Sequence, residues 1–547
     1  MNPVTSIGLA DILDEHRRRW PNNEAVVDED GKIRLTYPQL AARAGGLAAA
    51  LVGIGVGQGD RILWLGQNSF RILELILAAA AIGAIVCPAN WRQSQDELDF
   101  IIADASPKLV VWQEAEIGER VRAMKAFGNR AAVAFTPTSP PPSRGRNMKE
   151  QALPLDGGGL GGGDVAAKHP IWLRHDPDAV GVSEYEEFLG HYSNDLLDSI
   201  DPALPLVMLY TAAFAGTPNG ALITHNAIIA QSLVYGPARG IAADYRYLNV
   251  GPMFHVATLM ETLATFVMGG CNVFVPRNDP VEICRIIDAE KINGAFVIGP
   301  AMEQLAEVNK DGRHNLKSLR ALKGSDAWNA MVTVDDSPWG QRPFGFGQTE
   351  TLGYATYSLL LGSGGMGRSS PVVLARIIDE AGVEIPDGEV GEIAVRGPTV
   401  SPGSWNRPEL TVQRQGQGWH RTTDLGRREA DGSLSFIGPK GQLIKSAAEN
   451  IYPAEVEACI RRYPAVRDVG VIGVPDPVWG QHVKAIVVLK PGESATETDI
   501  VEHCRALIAS YKKPRFVIFV AELPRAGFAI DYARLNADHG GGGYPGS

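Results

Sequence analysis

The chain has 547 residues, 45% hydrophobic and 21% charged, with 51 basic against 62 acidic side chains and a net charge of -11. At about 150 residues per domain this length corresponds to three to four folding units, and the composition excludes a wholly disordered chain. The acidic balance argues against wholesale nucleic-acid binding, which needs a basic field to displace counterions, but leaves room for a small anionic ligand on a local basic patch.

The N-terminus, MNPVTSIGLADILDEHRRRW, lacks an apolar core and does not read as a signal peptide. Over 1–135, LADILDEHRRRW is amphipathic, RILWLGQN reads as a strand entering a turn, 73–82 as a helix and AIVCPA as a buried strand. Short strands between longer helices predict βαβ units and a parallel sheet. The longest apolar run, 75–89, is too short and too interrupted by Gly83 and Pro88 to span a bilayer, so no membrane is expected. TPTSPPPSRGR and GGGLGGG bracket a Pro- and Gly-rich stretch read as a flexible surface insertion at about 136–165.

From 204 to 437 the alternation resumes. LPLVMLY is a strand, THNAIIAQSLVYG a helix, CNVFVP a strand, and GEIAVRG and SLSFIG are strands of a smaller sheet. Beyond a boundary at 438–442, AEVEACIRRYPAVRD and DIVEHCRALIASYKK read as helices, and DVGVIGVP and HVKAIVVLKPG as strands. The expected class is α/β: a large N-terminal domain (1–437), a hinge (438–442) and a small α+β C-terminal domain (443–547) ending in a disordered tail, HGGGGYPGS. Cys87, Cys271, Cys284, Cys459 and Cys504 form no CxxC pair, which points away from zinc or a disulfide framework and towards a reducing cytoplasm.

Three segments carry chemistry. LVMLYTAAFAGTPNGALITHNA (206–227) reads as a strand, a turn of small residues and a helix. A phosphate-binding loop combines glycines with Lys and hydroxyls, because backbone N–H groups and an ammonium surround the polyphosphate. Gly216 and Gly220 are present, but Ala212, Ala213, Phe214, Ala215 and Asn219 hold the donor positions. The same pattern also serves as a plain strand–helix connection. In GFGQTET (345–351), Thr349 offers a hydroxyl to a phosphate and Glu350 a carboxylate to Mg²⁺, although Thr-Glu after Gly also starts many helices. In GWHRTTDLG (418–426), Asp424 can accept bonds from both hydroxyls of a ribose, or simply sit in a turn.

Taken together and in this order, the three segments closely resemble the adenylate-forming superfamily of acyl-CoA synthetases, peptide-synthetase adenylation domains and luciferases. The resemblance covers nearly the whole chain, with GAIVCPANWRQSQDELDFII, PMFHVA, GSWNRPELT, ENIYPAEVEACI, GVPDPVWGQ and YKKPRFVIFVAELPR among its supports. It implies the adenylate-forming fold, in which a small mobile C-terminal domain swings between a pose that makes acyl-AMP and one that admits the pantetheine thiol. By the same resemblance Thr349 and Glu350 contact phosphate and Mg²⁺, and Asp424 the ribose. Gly324, Ser325 and Asp326 flank the adenine, with Phe346 and Gly347 against it. His255 lines the acyl site with Val297 and Gly324 and, with Thr349, is assigned to catalysis. Ser325 and Asp326 also read as a helix cap, and His255 as a core histidine.

The chain departs from the superfamily pattern where adenylation needs charge. In place of Thr-Ser-Gly-Thr-Thr-Gly-x-Pro-Lys-Gly it keeps Thr211, Gly216, Pro218 and Gly220, but puts Phe214 and Ala215 at the threonines and Asn219 at the lysine. The C-terminal lysine position of Leu-Pro-Arg-Thr-x-x-Gly-Lys-Ile-Asp is Ala529. The hinge has Pro439 for a ribose-contacting Arg and Gln442 for an acid, and Ala447-Ala448 replaces Gly-Gly beside the pantetheine tunnel. Removing one preorganised donor costs roughly 3–4 kcal/mol, or about 10²–10³ in rate. Several such losses, though not additive, fall on adenylation, whereas thiol attack on acyl-AMP needs neither lysine.

The expected reaction is therefore thioesterification alone, acyl-AMP + CoA to acyl-CoA + AMP, with coenzyme A and acyl-AMP as substrates. No resident metal is assigned: Mg²⁺ is dispensable, and Glu350 is its ligand where it binds. The pattern is similar to that of non-adenylating ligases of natural-product biosynthesis, which implies a separate adenylating ligase as partner and a bulky terpenoid acid as acyl group. Lys440, Lys445 and Ala448 are candidates for CoA contact, with Arg461, Arg462, Lys512, Lys513 and Arg515 as further cations for its phosphates. Two alternatives stand: a complete ATP-dependent acyl-CoA synthetase, and a catalytically dead binder of acyl-adenylate or CoA.

Overall fold

The computed structural model describes residues 5–28, 32–128, 170–176, 183–190, 200–211, 218–440, 443–447, 449–451, 453–526 and 529–542. The expected insertion at 136–165, the hinge residues 441–442 and the last five residues of the tail lie outside the described residues, as do Phe214, Ala215, Gln442 and Ala448.

Two sheets organise the N-terminal half. One has six strands in the order Ile171–Arg174, Leu109–Trp112, Arg61–Leu65, Ile85–Pro88, Pro205–Thr211 and Asn219–Thr224, parallel except for the last pair. The other has five, Gly294–Ala295, Arg246–Asn249, Cys271–Phe274, Glu24–Asp28 and Ile33–Thr36, again parallel except at one edge. The helix Phe70–Ile82 packs against strands of both sheets, and all of it except Arg71 is buried. A helix apolar on every side needs such an enclosed position, which explains the apolar run without a membrane. Among the described residues no helix is long and apolar enough to cross a membrane. Its single carboxylate, Glu74, is fully buried, bonded by Arg43 at 2.5 Å and the Tyr185 hydroxyl at 2.8 Å.

The segment 206–227 corrects the sequence reading. After Pro205–Thr211 the chain does not enter a helix but returns as an antiparallel strand, Asn219–Thr224, and only then forms the helix His225–Arg239, capped by Thr224. The two helices expected towards the C-terminus are shorter than read, Pro453–Ile460 and Glu497–Leu507.

A four-stranded antiparallel sheet follows: Leu374–Ile378, Val390–Arg396, His420–Arg428 and Leu434–Pro439. The last sheet joins Glu449–Ile451, Ile444–Ser446, Gly480–Leu489 and Val466–Asp476, with Phe516–Phe519 added parallel to Gly480–Leu489. It has its own apolar core around Val469, Val471, Ala485 and Val487.

This C-terminal unit is docked on the N-terminal part by polar contacts. Lys512, 4% exposed, lies between Glu97 at 2.8 Å and Glu455 at 2.5 Å. Ser94 donates to the carbonyl of Leu507 at 2.8 Å, and Arg92 pairs with Glu449 at 2.7 Å. A buried cation stays charged only when its partners replace the lost water, and here two carboxylates do so, one from each unit.

Candidate active site

A cavity of about 280 Å³ opens between the two units and is lined by Thr211, His255, Thr349, Tyr354, Glu449 and Tyr511 among others. Gly347 and Gln348 also face it. A second cavity lies behind the wall formed by Ala257, Met260 and Tyr354, and Val297 lines it. The predicted residues His255, Gly347 and Thr349 therefore share one space, with Val297 in the next.

Local structure explains the placement. Gly347 starts a two-residue strand paired with Gly353–Tyr354, and a Cβ at Gly347 would lie 1.8 Å from the Gly353 carbonyl oxygen, so only glycine permits this approach. A 3₁₀ turn, Thr349–Thr351, follows and brings Thr349 to the cavity. His255 is the N-cap residue of the helix Val256–Val267, at the mouth of the cavity and 37% exposed at its side chain. Its Nε2 lies 3.3 Å from Glu449 Oε2, and Arg92 holds the other carboxylate oxygen at 2.7 Å. Burial pushes the Glu449 carboxyl up, but the bonds to His255 and Arg92 prevail and keep it below its ordinary value.

Asp424 sits within the strand His420–Arg428 rather than in a turn. Thr423, just before it, has φ +61°, and the pairing with Val390–Arg396 shifts register opposite this point. Such a bulge re-aims a side chain. The Asp424 carboxylate accepts a bond from Gln348 Nε2 at 2.6 Å, and the same amide reaches the Thr422 carbonyl at 2.8 Å. Burial, with the charge of Glu350 adding to it, pushes the Asp424 carboxyl up to about 6, against the pull of the Gln348 bond.

Ser325 caps the helix Asp326–Met331 by accepting from the Trp328 amide, and Gly324 exchanges two bonds with Asn329, so the expected adenine loop is a rigid helix start. Phe346 is buried and stacked on Phe436 at 5.9 Å between centroids, so one face of its ring is taken. Asn219 is buried at the head of its strand, paired with Thr211.

The candidate CoA residues divide. The Lys440 ammonium is engaged by Glu392 at 2.7 Å. Lys445 feels the charge of Asp424, while burial lowers its pKa. Lys512, expected as a free cation for CoA phosphates, is buried between Glu97 and Glu455, because desolvation leaves a lysine only where carboxylates meet it. Pro439 ends the strand Leu434–Pro439, opposite Asp424. Ala529 pairs with Ala526 in a hairpin that does not line the cavity; Arg525 of this hairpin pairs with Asp468, and Ile530 packs on the core around Ile472 and Leu535.

Sequence reasoning passed over Gln348, Glu449, Arg92 and Arg414. Gln348 and Glu449 lay inside quoted motifs, where their side-chain chemistry was the available signal. Arg414 has none: its guanidinium meets Glu350 at 3.2 Å across 64 residues of sequence. The carboxylate that the resemblance assigns to Mg²⁺ is thus already engaged, and among the described residues no group of three or more His, Cys, Asp or Glu could hold a metal ion. Mg²⁺ at a nucleotide is held by one or two carboxylates together with the phosphates, and here the carboxylate assigned to it meets a guanidinium instead.

The chain matches the AMP-binding enzyme family over residues 13–405 and the AMP-binding enzyme C-terminal domain over 455–527. It is 30% identical to a feruloyl-CoA synthase of Amycolatopsis, over 93% of this chain and 95% of that protein, and 28% identical to an indoleacetate–CoA ligase of Aromatoleum aromaticum, over 94% and 95%. The fold is similar to that of an o-succinylbenzoate CoA synthetase from Bacillus subtilis, with a TM-score of 0.74 at 20% identity over 97% of this chain and 98% of that one. The chain belongs to the adenylate-forming superfamily, as an AMP-binding enzyme of the acyl-CoA ligase family.

Proposed function

We propose that this acyl-CoA ligase homologue catalyses only the thioesterification half-reaction, acyl-AMP + CoA to acyl-CoA + AMP. The observation that carries this reading is the coincident replacement of both phosphate-handling lysines, by Asn219 and Ala529, in a chain that keeps Thr349 and Asp424. Adenylation has to stabilise charge on the α-phosphate and on departing pyrophosphate, and preorganised cations do that work. Acyl-AMP is already activated, and what it needs is orientation.

Each residue has a role in this reading, and Gly347, Gln348, Thr349, His255 and Glu449 share the cavity. Asp424 accepts the ribose hydroxyls, with Gln348 fixing its carboxylate. Thr349 offers its hydroxyl to the α-phosphate, and the loop Gly324–Ser325–Asp326 with Phe346 and Gly347 flanks the adenine. The CoA sulfur attacks the acyl carbonyl carbon, the bond from that carbon to the phosphate oxygen breaks, and AMP leaves. His255, at the mouth beside Glu449, accepts the thiol proton. The docked pose suits this step: the Glu449 hairpin stands over the cavity, and the hairpin with Ala529 packs on its own domain.

The similarity to the non-adenylating ligase of platensimycin and platencin biosynthesis extends the proposal to a bulky terpenoid acid, activated by a separate adenylating ligase. The names of the relatives favour a second reading, a complete ATP-dependent ligase. The two separate on one experiment: purified protein with CoA and synthetic acyl-AMPs (aliphatic, aryl and polycyclic), beside the free acids with ATP and Mg²⁺, read by mass spectrometry. Acyl-CoA from the adenylates alone is expected; equal product from acid plus ATP overturns the proposal. AMP analogue binding without acyl-CoA in either arm identifies a binder.

A further inference from the structure

The Glu350–Arg414 pair is built from two fixed supports. Glu350 lies in the turn Thr349–Thr351, and its backbone carbonyl accepts from Ser401 N at 2.7 Å. Arg414 ends the helix Pro408–Arg414, and the next residue, Gln415, donates to the Ser401 carbonyl at 2.8 Å. Glu350 and the residue next to Arg414 are thus both tied to Ser401. Their side chains are 12% and 14% exposed, and Arg414 Nη1 stands 3.2 Å from Glu350 Oε1.

The neighbouring charges give the pair its meaning. His420 is buried beside it with neither ring nitrogen hydrogen-bonded, and burial lowers its pKa, so its imidazole is neutral and adds no cation. Asp424 feels both members, Glu350 as a repulsion and Arg414 as an attraction. Lys445 is a further cation acting on Asp424, and Glu392, which also acts on His420, is engaged by Arg421 and Lys440. A divalent ion approaching Glu350 has to displace a guanidinium already at bonding distance in a poorly solvated place.

We propose that Arg414 is the resident cation of this nucleotide site: it occupies the carboxylate that would otherwise recruit a divalent metal, so acyl-AMP binds without one. Arg414 is a positioning residue that acts through Glu350, and the inference rests on the nucleotide site of the proposed function. It also explains how a site with Glu350 and Asp424 can accept a nucleotide phosphate without Mg²⁺ to offset their charge.

The test reads metal binding rather than turnover, so it stands apart from the outcome of the thioesterification assay. Mn²⁺ is titrated into the full chain with AMP present and followed by electron paramagnetic resonance. The expected wild-type protein shows no binding that Glu350→Gln removes. Arg414→Met, which keeps length and loses charge, gains Mn²⁺ affinity by about tenfold or more, and adding Glu350→Gln abolishes the gain. Arg414→Lys, a milder change that retains the charge, behaves as wild type. Wild-type binding that Glu350→Gln weakens overturns the proposal, and so does an Arg414→Met protein, folded by circular dichroism, that binds no more Mn²⁺ than wild type. A loss of thioesterification with the Mn²⁺ pattern intact counts against the proposed function alone.

Discussion

Two hairpins of the C-terminal domain lie at different distances from the chemistry. The one formed by Ile444–Ser446 and Glu449–Ile451 reaches across the domain boundary, where Glu449 meets His255 and Arg92 and lines the cavity. The one formed by Arg525–Ala526 and Ala529–Ile530 folds back on its own domain, with Arg525 on Asp468 and Ile530 in the core. The first carries Glu449 to the cavity, and the second, in the proposed reading, has Ala529 at the position of the adenylating lysine. On the proposed function, the difference teaches that each half-reaction draws on its own piece of a single domain, so sequence can erode one piece while packing preserves the other.

The largest effect expected from disturbing this arrangement is at the docking contact. Lys512→Met leaves Glu97 and Glu455 buried without their cation and destabilises the docked form by roughly 3–5 kcal/mol. Small-angle scattering should report a more open molecule, and chemical denaturation an earlier transition. A docked Lys512→Met protein of unchanged stability breaks the comparison, since the Glu449 hairpin would then be held by something else.

Next in size is the nucleotide carboxylate. In the proposed site Asp424 accepts two charge-assisted bonds from ribose, so Asp424→Ala should lower kcat/KM for acyl-AMP by about 10²–10³. The pH dependence has a defined sign. Burial raises the Asp424 pKa to about 6 in the free site, so acyl-AMP affinity is full above that value and falls as the pH drops through it. Isothermal calorimetry across this range should show the step in wild type and none in Asp424→Asn. Smaller again is repair of the eroded piece: Asn219→Lys with Ala529→Lys should raise adenylation from acid and ATP by about tenfold or more, read as pyrophosphate release.

The smallest expected effect concerns the turn of the Glu449 hairpin. Ala447 holds φ +53°, a left-handed conformation in which a Cβ costs roughly 1–2 kcal/mol. Ala447→Gly should therefore stabilise the fold by about 1 kcal/mol, less the extra freedom that glycine gives the unfolded chain. A destabilised Ala447→Gly protein in thermal unfolding would show that the methyl makes a contact worth more than the strain.

Much of this was legible in the sequence, for physical reasons. The parallel strands announce themselves as short apolar runs, and of the residues the motifs singled out the structure brings Gly347 and Thr349 into one cavity with His255. The strand Asn219–Thr224 was not legible: it is six residues running straight into a helix, and only pairing with Pro205–Thr211 makes it a strand. Lys512 read as a solvated cation because its partner Glu97 is 415 residues away in sequence. The Glu350–Arg414 pair was hidden for the same reason, since charge complementarity between distant segments exists only once the fold brings them together.

The central claim, that this ligase homologue has given up adenylation, is tested most directly by isotope exchange between labelled pyrophosphate and ATP in the presence of the free acid whose synthetic adenylate the protein converts with CoA. The account predicts no exchange above a protein-free control, while the same preparation releases AMP and acyl-CoA from that adenylate. Acid-dependent exchange at a rate matching thioesterification would contradict it.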